Sequence, residues 1–178
     1  MALEFKRTVG GVGRKLEKVL LADSQTVEVG DLIETYTTGE GVLGTAGHFA
    51  LGVVDSLCDA SGLPIVQDDP VAGTASGSDL LLIATSTDGI YYAQVNVSRD
   101  SIYSAAMSAA AGTTASSDLR GCHIDIDSSN TEYGQVLETT ATRTEGVEAN
   151  FYSHGLDPND SARMLVSIAM HEFQTITT

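Results

Sequence analysis

The stretch His123-Ile124-Asp125-Ile126-Asp127 sets an imidazole and two carboxylates at every second position. Alternate residues of a strand share a face, so these three groups would project together. With further oxygen donors such a set can hold a divalent cation. The same alternation buries Ile124 and Ile126 behind them, and the turn-forming Ser128-Ser129-Asn130 follows. The plainer expectation is therefore a solvated strand face over an apolar one. No metal or other cofactor is expected, and His123, Asp125 and Asp127 are the only metal candidates.

Other chemistry lacks an essential part. Gly10-Gly11-Val12-Gly13-Arg14-Lys15 resembles a phosphate loop, but Leu16 stands where a Ser or Thr must follow the lysine, and no strand precedes it. His171-Glu172 lacks the second histidine of a zinc-protease helix, and His48 and His154 have no partner at ligand spacing. A serine nucleophile needs a glycine-flanked elbow, and no Gly-x-Ser-x-Gly occurs. The expectation is a protein that is not an enzyme.

The elements that would carry these residues read as β-structure. Candidate strands are Thr26-Val27-Glu28-Val29, residues 32–36 and residues 48–54, punctuated by glycine turns. Residues 79–84 and 91–97 flank Asp88-Gly89, a hairpin signal. Later candidates are residues 121–126, 135–142, 146–153 and 163–173, with a turn over residues 154–160. Ile102, Ala105, Ala106, Ala109 and Ala110 recur at helical spacing and predict one short helix over 98–111. The expected fold class is mainly β, a small barrel or sandwich with that helix and an extended N-terminal arm. Residues 59–77 hold Pro64, Pro70 and several Gly and Ser, a loop or a boundary between two lobes.

Charge divides the chain sharply. Lys6, Arg7, Arg14, Lys15 and Lys18 lie in the first eighteen residues, opposed only by Glu4 and Glu17, so this stretch carries +3. The rest carries −18, and the whole −15. The reading is a basic, glycine-bearing arm over 1–18, ordered by a partner's surface or by a sister subunit or else left disordered, before an acidic body over 19–178. Within 14–21 there is only weak helical character. The acidic body would repel phosphates, which argues against nucleic acid as a partner. No segment has the length of a secretory apolar run or a membrane span. Cys58 and Cys122 stand far apart in unlike contexts, so buried thiols and a reducing compartment of synthesis are expected rather than a disulfide.

Val29-Gly30-Asp31-Leu32-Ile33, then Gly41, Ala46-Gly47 and Leu51-Gly52-Val53-Val54, resembles the head decoration (cement) proteins of tailed bacteriophages. Some of those carry a Gly-Asp turn, a variable stretch and a Gly-Val strand in a small β-barrel. The resemblance implies a structural role on the outer surface of a virion made in the host cytoplasm. It also implies a homotrimer bound to the major capsid protein, and no catalytic residue. The arm would lie across capsid subunits, with Phe5, Lys6, Arg7, Arg14 and Lys15 as its contacts. The alternative is a carbohydrate- or receptor-binding module of a fibre, using Tyr91, Tyr92, Tyr103, Tyr133 and Tyr152 as a platform.

Overall fold

The computed structural model describes residues 3–9, 13–23, 25–64, 80–83, 91–107, 120–126 and 150–169. They form twelve strands: β1 (Leu3–Thr8), β2 (Leu16–Leu20), β3 (Gln25–Glu28), β4 (Leu32–Thr35), β5 (Gly41–Leu43), β6 (Gly52–Asp59), β7 (Leu80–Ile83), β8 (Tyr91–Asn96), β9 (Ser101–Ala106), β10 (His123–Ile124), β11 (Phe151–Asp157) and β12 (Asp160–Ile168). One sheet runs β1-β9-β12-β11-β10, a second β2-β8-β6-β4-β5, and β3 pairs with β7. All these ladders are antiparallel. The chain is mainly β, but among the described residues the two large sheets do not close into a barrel.

The second sheet is buried on both faces. Leu32 and Val53 join Leu3, Tyr103, Phe151, Met164 and Val166 in a core between the two large sheets. Their chain neighbours Ile33 and Val54 point the other way, into a cluster with Val27 of β3, Val19 and Val95. This explains the unbroken apolar runs Leu32-Ile33 and Val53-Val54, which a one-sided strand would interrupt with polar residues. An amide network fastens the sheets to one another. The buried Asn150 donates its side-chain N–H groups to the carbonyls of Thr45 (3.1 Å) and His48 (2.8 Å). The Asp125 carboxylate accepts from the backbone N–H of Gly47 (3.0 Å) and of Asn150 (2.9 Å).

Several expectations are corrected. The stretch 1–18 is no free arm in its described part. β1 pairs with β9, with Leu3 opposite Ala105 and Phe5 opposite Tyr103, and β2 pairs with β8. The cause is its own apolar alternation: Leu3 is buried in the core and Phe5 packs against it, so the body itself orders the segment. The weak helical character of 14–21 gives way to β2.

No α-helix occurs among the described residues, and β9 occupies the first part of the expected helix at 98–111. β9 lies between β1 and β12, where Ile102 and Tyr103 fit a strand and the small Ser and Ala fit burial on both faces. Residues 108–111 lie outside the described residues. The expected pairing of 79–84 with 91–97 is not made: β7 pairs with β3, and β8 is flanked by β2 and β6. The turn at 154–160 shrinks to Pro158-Asn159, with the Asp157 carboxylate accepting from the Asn159 N–H at 2.9 Å. The expected strand at 135–142 and the boundary at 59–77 beyond Pro64 lie outside the described residues.

Candidate binding surfaces

The segment expected to bind a partner is built around an ion pair. Arg14, just before β2, pairs with Asp55 of β6. Its guanidinium lies 4.9 Å from the centre of the Phe5 ring, a cation–π contact. Phe5 in turn meets Tyr103 edge-on, with ring centres 6.1 Å apart. These groups line a cleft of about 200 Å³ between the two sheets, walled also by Leu3 and Val54. Tyr103 is almost wholly buried, and its hydroxyl makes no hydrogen bond of normal geometry. Burial pushes its pKa well above the ordinary phenol range; Ser101 nearby opposes part of that shift.

Of the other basic residues named for this role, Lys6 bridges Glu4 (3.0 Å) and the buried Asp157 (3.6 Å). The hydrogen bond with Glu4 is the main cause of its raised pKa. Asp157 is held below the usual carboxylate range, first by the Ser104 side chain, then by the Asn159 N–H and by Lys6. Lys15 pairs with Glu17 at 2.8 Å. Lys6, Arg7, Arg14 and Lys15 are all exposed residues. Phe5 and Arg14 thus hold the edge of the sandwich together, whereas Lys6, Arg7 and Lys15 line its outside.

A second surface lies on the outer face of the first sheet. Tyr152 of β11 is 39% exposed and stands between two imidazoles. The ring centre of His123 is 5.8 Å away and that of His154 is 5.2 Å away, both edge-on. His154 Nε2 sits 3.0 Å from the Ser167 hydroxyl. The Arg120 stem crosses Gly155, so close that a Cβ there would lie 3.6 Å from Arg120 Cδ. Gly155 also has φ 108°, which a side chain would strain. Burial lowers the His154 pKa, and the charges of Arg7 and Arg120 lower it further.

The metal candidates separate. His123 is exposed beside Tyr152, while Asp125 is committed to the backbone of Gly47 and Asn150. Asp127 lies outside the described residues, and among the described residues no three His, Cys, Asp or Glu converge as metal ligands would. Among the described residues the tyrosines form no shared platform: Tyr103 is in the core, Tyr91 packs partly buried against the second cluster, Tyr92 lies under Lys18 in the second sheet, and Tyr152 is on the outside of the first. Tyr133 lies outside the described residues. Cys58 and Cys122 are both buried and no disulfide joins them. The sequence reading missed Asp55 and Arg120, and it set His154 aside as a lone histidine at the start of a turn, whereas His154 lies within β11. Comparison with protein-family models, curated proteins and solved structures finds no match for this chain.

Proposed function

We propose that this chain is a structural, non-enzymatic decoration protein that sits on the outer surface of a tailed-phage head and stabilises it as a trimer. One observation supports this reading above the others. The separate stretches that carry the sequence resemblance fold into one unit. The Gly30-Asp31 turn, with φ 97° at Gly30, leads into β4, and β4 pairs with the Gly-Val strand β6, Leu32 opposite Val53 and Ile33 opposite Gly52. Gly30 N–H donates to the Val54 carbonyl and Val54 N–H to the Asp31 carbonyl, both at 2.9 Å. The buried Asp31 carboxylate closes the turn by accepting the Glu28 N–H at 2.8 Å. The first and last stretches of the pattern thus meet in one turn on a twice-buried strand, while Gly41 lies opposite Thr35 on β5 and Gly47 donates to Asp125.

In this reading the head is met by the edge formed by β1 and residues 13–20. Arg7 is exposed there, beside Lys6 and Lys15 in their ion pairs with Glu4, Asp157 and Glu17, on the one stretch of net positive charge in an otherwise acidic molecule. Many copies, each held weakly, gain strength from the repeating lattice and favour the assembled shell by mass action. The test is to add the protein to naked heads of the phage that encodes it and to measure co-sedimentation. Saturable binding that rising salt weakens is the expected result. Recovery of all the protein in the supernatant at low salt would overturn the reading.

A further inference from the structure

The cleft between the two sheets contains a group that the fold leaves unmatched. Tyr103 is 1% exposed, and among the described residues its hydroxyl has no hydrogen-bond partner. Ser101 stands nearby, but its hydroxyl accepts the Asn96 side-chain N–H at 3.0 Å and does not meet Tyr103 in hydrogen-bond geometry. The Tyr103 ring is explained by its place in the core and its edge-on contact with Phe5. The oxygen is not, since phenylalanine would fill the same place without a desolvated, unpaired donor.

The rest of the lining says what could match it. Leu3, Phe5, Val29, Val53 and Val54 give apolar walls. The charged residues of the lining are already paired, Arg14 with Asp55 and Glu4 with Lys6 at 3.0 Å. Asn96 is buried there too, donating to Ser101 and accepting the Ser98 N–H at 3.1 Å. A charged ligand would have to break one of these pairs or lose its water without compensation. A neutral ligand does neither. Volume sets its size. An apolar cavity of about 150 Å³ takes benzene. The cleft, about 200 Å³, suits one ring with a short substituent.

We propose that the cleft binds a small neutral molecule, a single apolar ring bearing one hydrogen-bond acceptor that takes the Tyr103 O–H. The ring of the ligand lies against Phe5, Val53 and Val54, which belong to different sheets, so an occupant ties the sheets together. Arg14 and Asp55, with side chains 41% and 22% exposed, stand at the entrance. Binding to the folded state alone raises its thermal midpoint. The site is independent of the decoration reading and is tested without any head.

The experiment titrates the full chain with three probes, followed by amide chemical shifts and by the thermal midpoint. Cyclohexanone carries an acceptor, methylenecyclohexane has a CH₂ in place of that oxygen, and benzoate is charged. Cyclohexanone should bind saturably, shift the amides of Val54 and Asp55, and raise the midpoint. Tyr103→Phe should weaken cyclohexanone binding about three- to tenfold, the loss of one hydrogen bond, and should leave methylenecyclohexane binding unchanged. The same variant, free of ligand, should keep or exceed the wild-type midpoint, which separates lost recognition from lost fold. Benzoate should not bind. A lower midpoint for Tyr103→Phe would show that the hydroxyl has its partner within the fold, and would overturn the proposal. So would equal binding of cyclohexanone by both proteins, benzoate binding as tightly as cyclohexanone, or no shift at the cleft with any probe, the mark of a cleft that takes water only.

Discussion

A Cβ on Gly52 would lie 2.3 Å from the carbonyl oxygen of Asn96, because β6 and β8 cross there with no room for a side chain. The obstacle is backbone within a central ladder and cannot swing aside. Gly52→Ala should therefore cost at the upper end of overpacking penalties, about 3 kcal/mol or more. Denaturant unfolding monitored by circular dichroism measures this directly. A midpoint equal to that of the wild type would show that the close approach is not real.

Removal of residues 1–18 should unfold the protein. The deletion strips β1 from β9 and takes Leu16, Glu17 and Lys18 of β2 from β8, and uncovers Tyr103 and Val54. Phe5→Ala is the milder version. The ring is only partly buried, so the loss should be about 1–3 kcal/mol, below that of a core phenylalanine. Cooperative thermal unfolding of the truncated chain near the wild-type midpoint would restore the free-arm reading.

Asn150 should be more costly than its neighbours. Its side chain satisfies two backbone carbonyls in a place without solvent access. Asn150→Ala removes a donor from both, although the Thr45 carbonyl keeps the His48 N–H at 3.1 Å, and should lose about 1–3 kcal/mol. Asn150→Asp should be no better, since a carboxylate would face the same carbonyls. Urea midpoints of the two variants, compared with that of an exposed control such as Thr38→Ala, provide the check.

Strand content was legible because glycine turns and β-branched runs are local signals. The placement of β1 was not. Its charges dominate the composition of the segment, whereas two residues, Leu3 and Phe5, decide its fate by burial. β9 misled for a different reason: alanine and serine suit either structure, so their spacing carries little weight once neighbouring strands supply partners. Of the candidate surfaces, the basic residues were visible, but Arg14–Asp55 spans 41 positions and only the folded sheets bring it together.

Acid should destabilise the protein in two steps. The folded pKa of His154 is lowered, so its contribution is fully present above the unfolded value of about 6.5 and is lost as pH falls through that value towards the folded one. The folded pKa of Asp157 is also lowered, so its contribution is present above the ordinary aspartate value of 3.8 and disappears as pH falls through its folded pKa. Thermal midpoints should decline on acidification from about pH 7.5, first near neutral pH and again below about pH 4. His154→Gln should flatten only the first decline, and Asp157→Asn only the second. A His154→Gln profile parallel to that of the wild type would contradict the assignment.

The proposed structural role on a phage head can be seen or ruled out by electron cryomicroscopy of naked heads incubated with the purified chain. Added density is expected at symmetry-related positions on the outer surface, saturating as protein is increased. Each knob should fit two packed antiparallel sheets, with the β1 edge turned towards the shell. Heads that remain bare at saturating protein and low salt would contradict it.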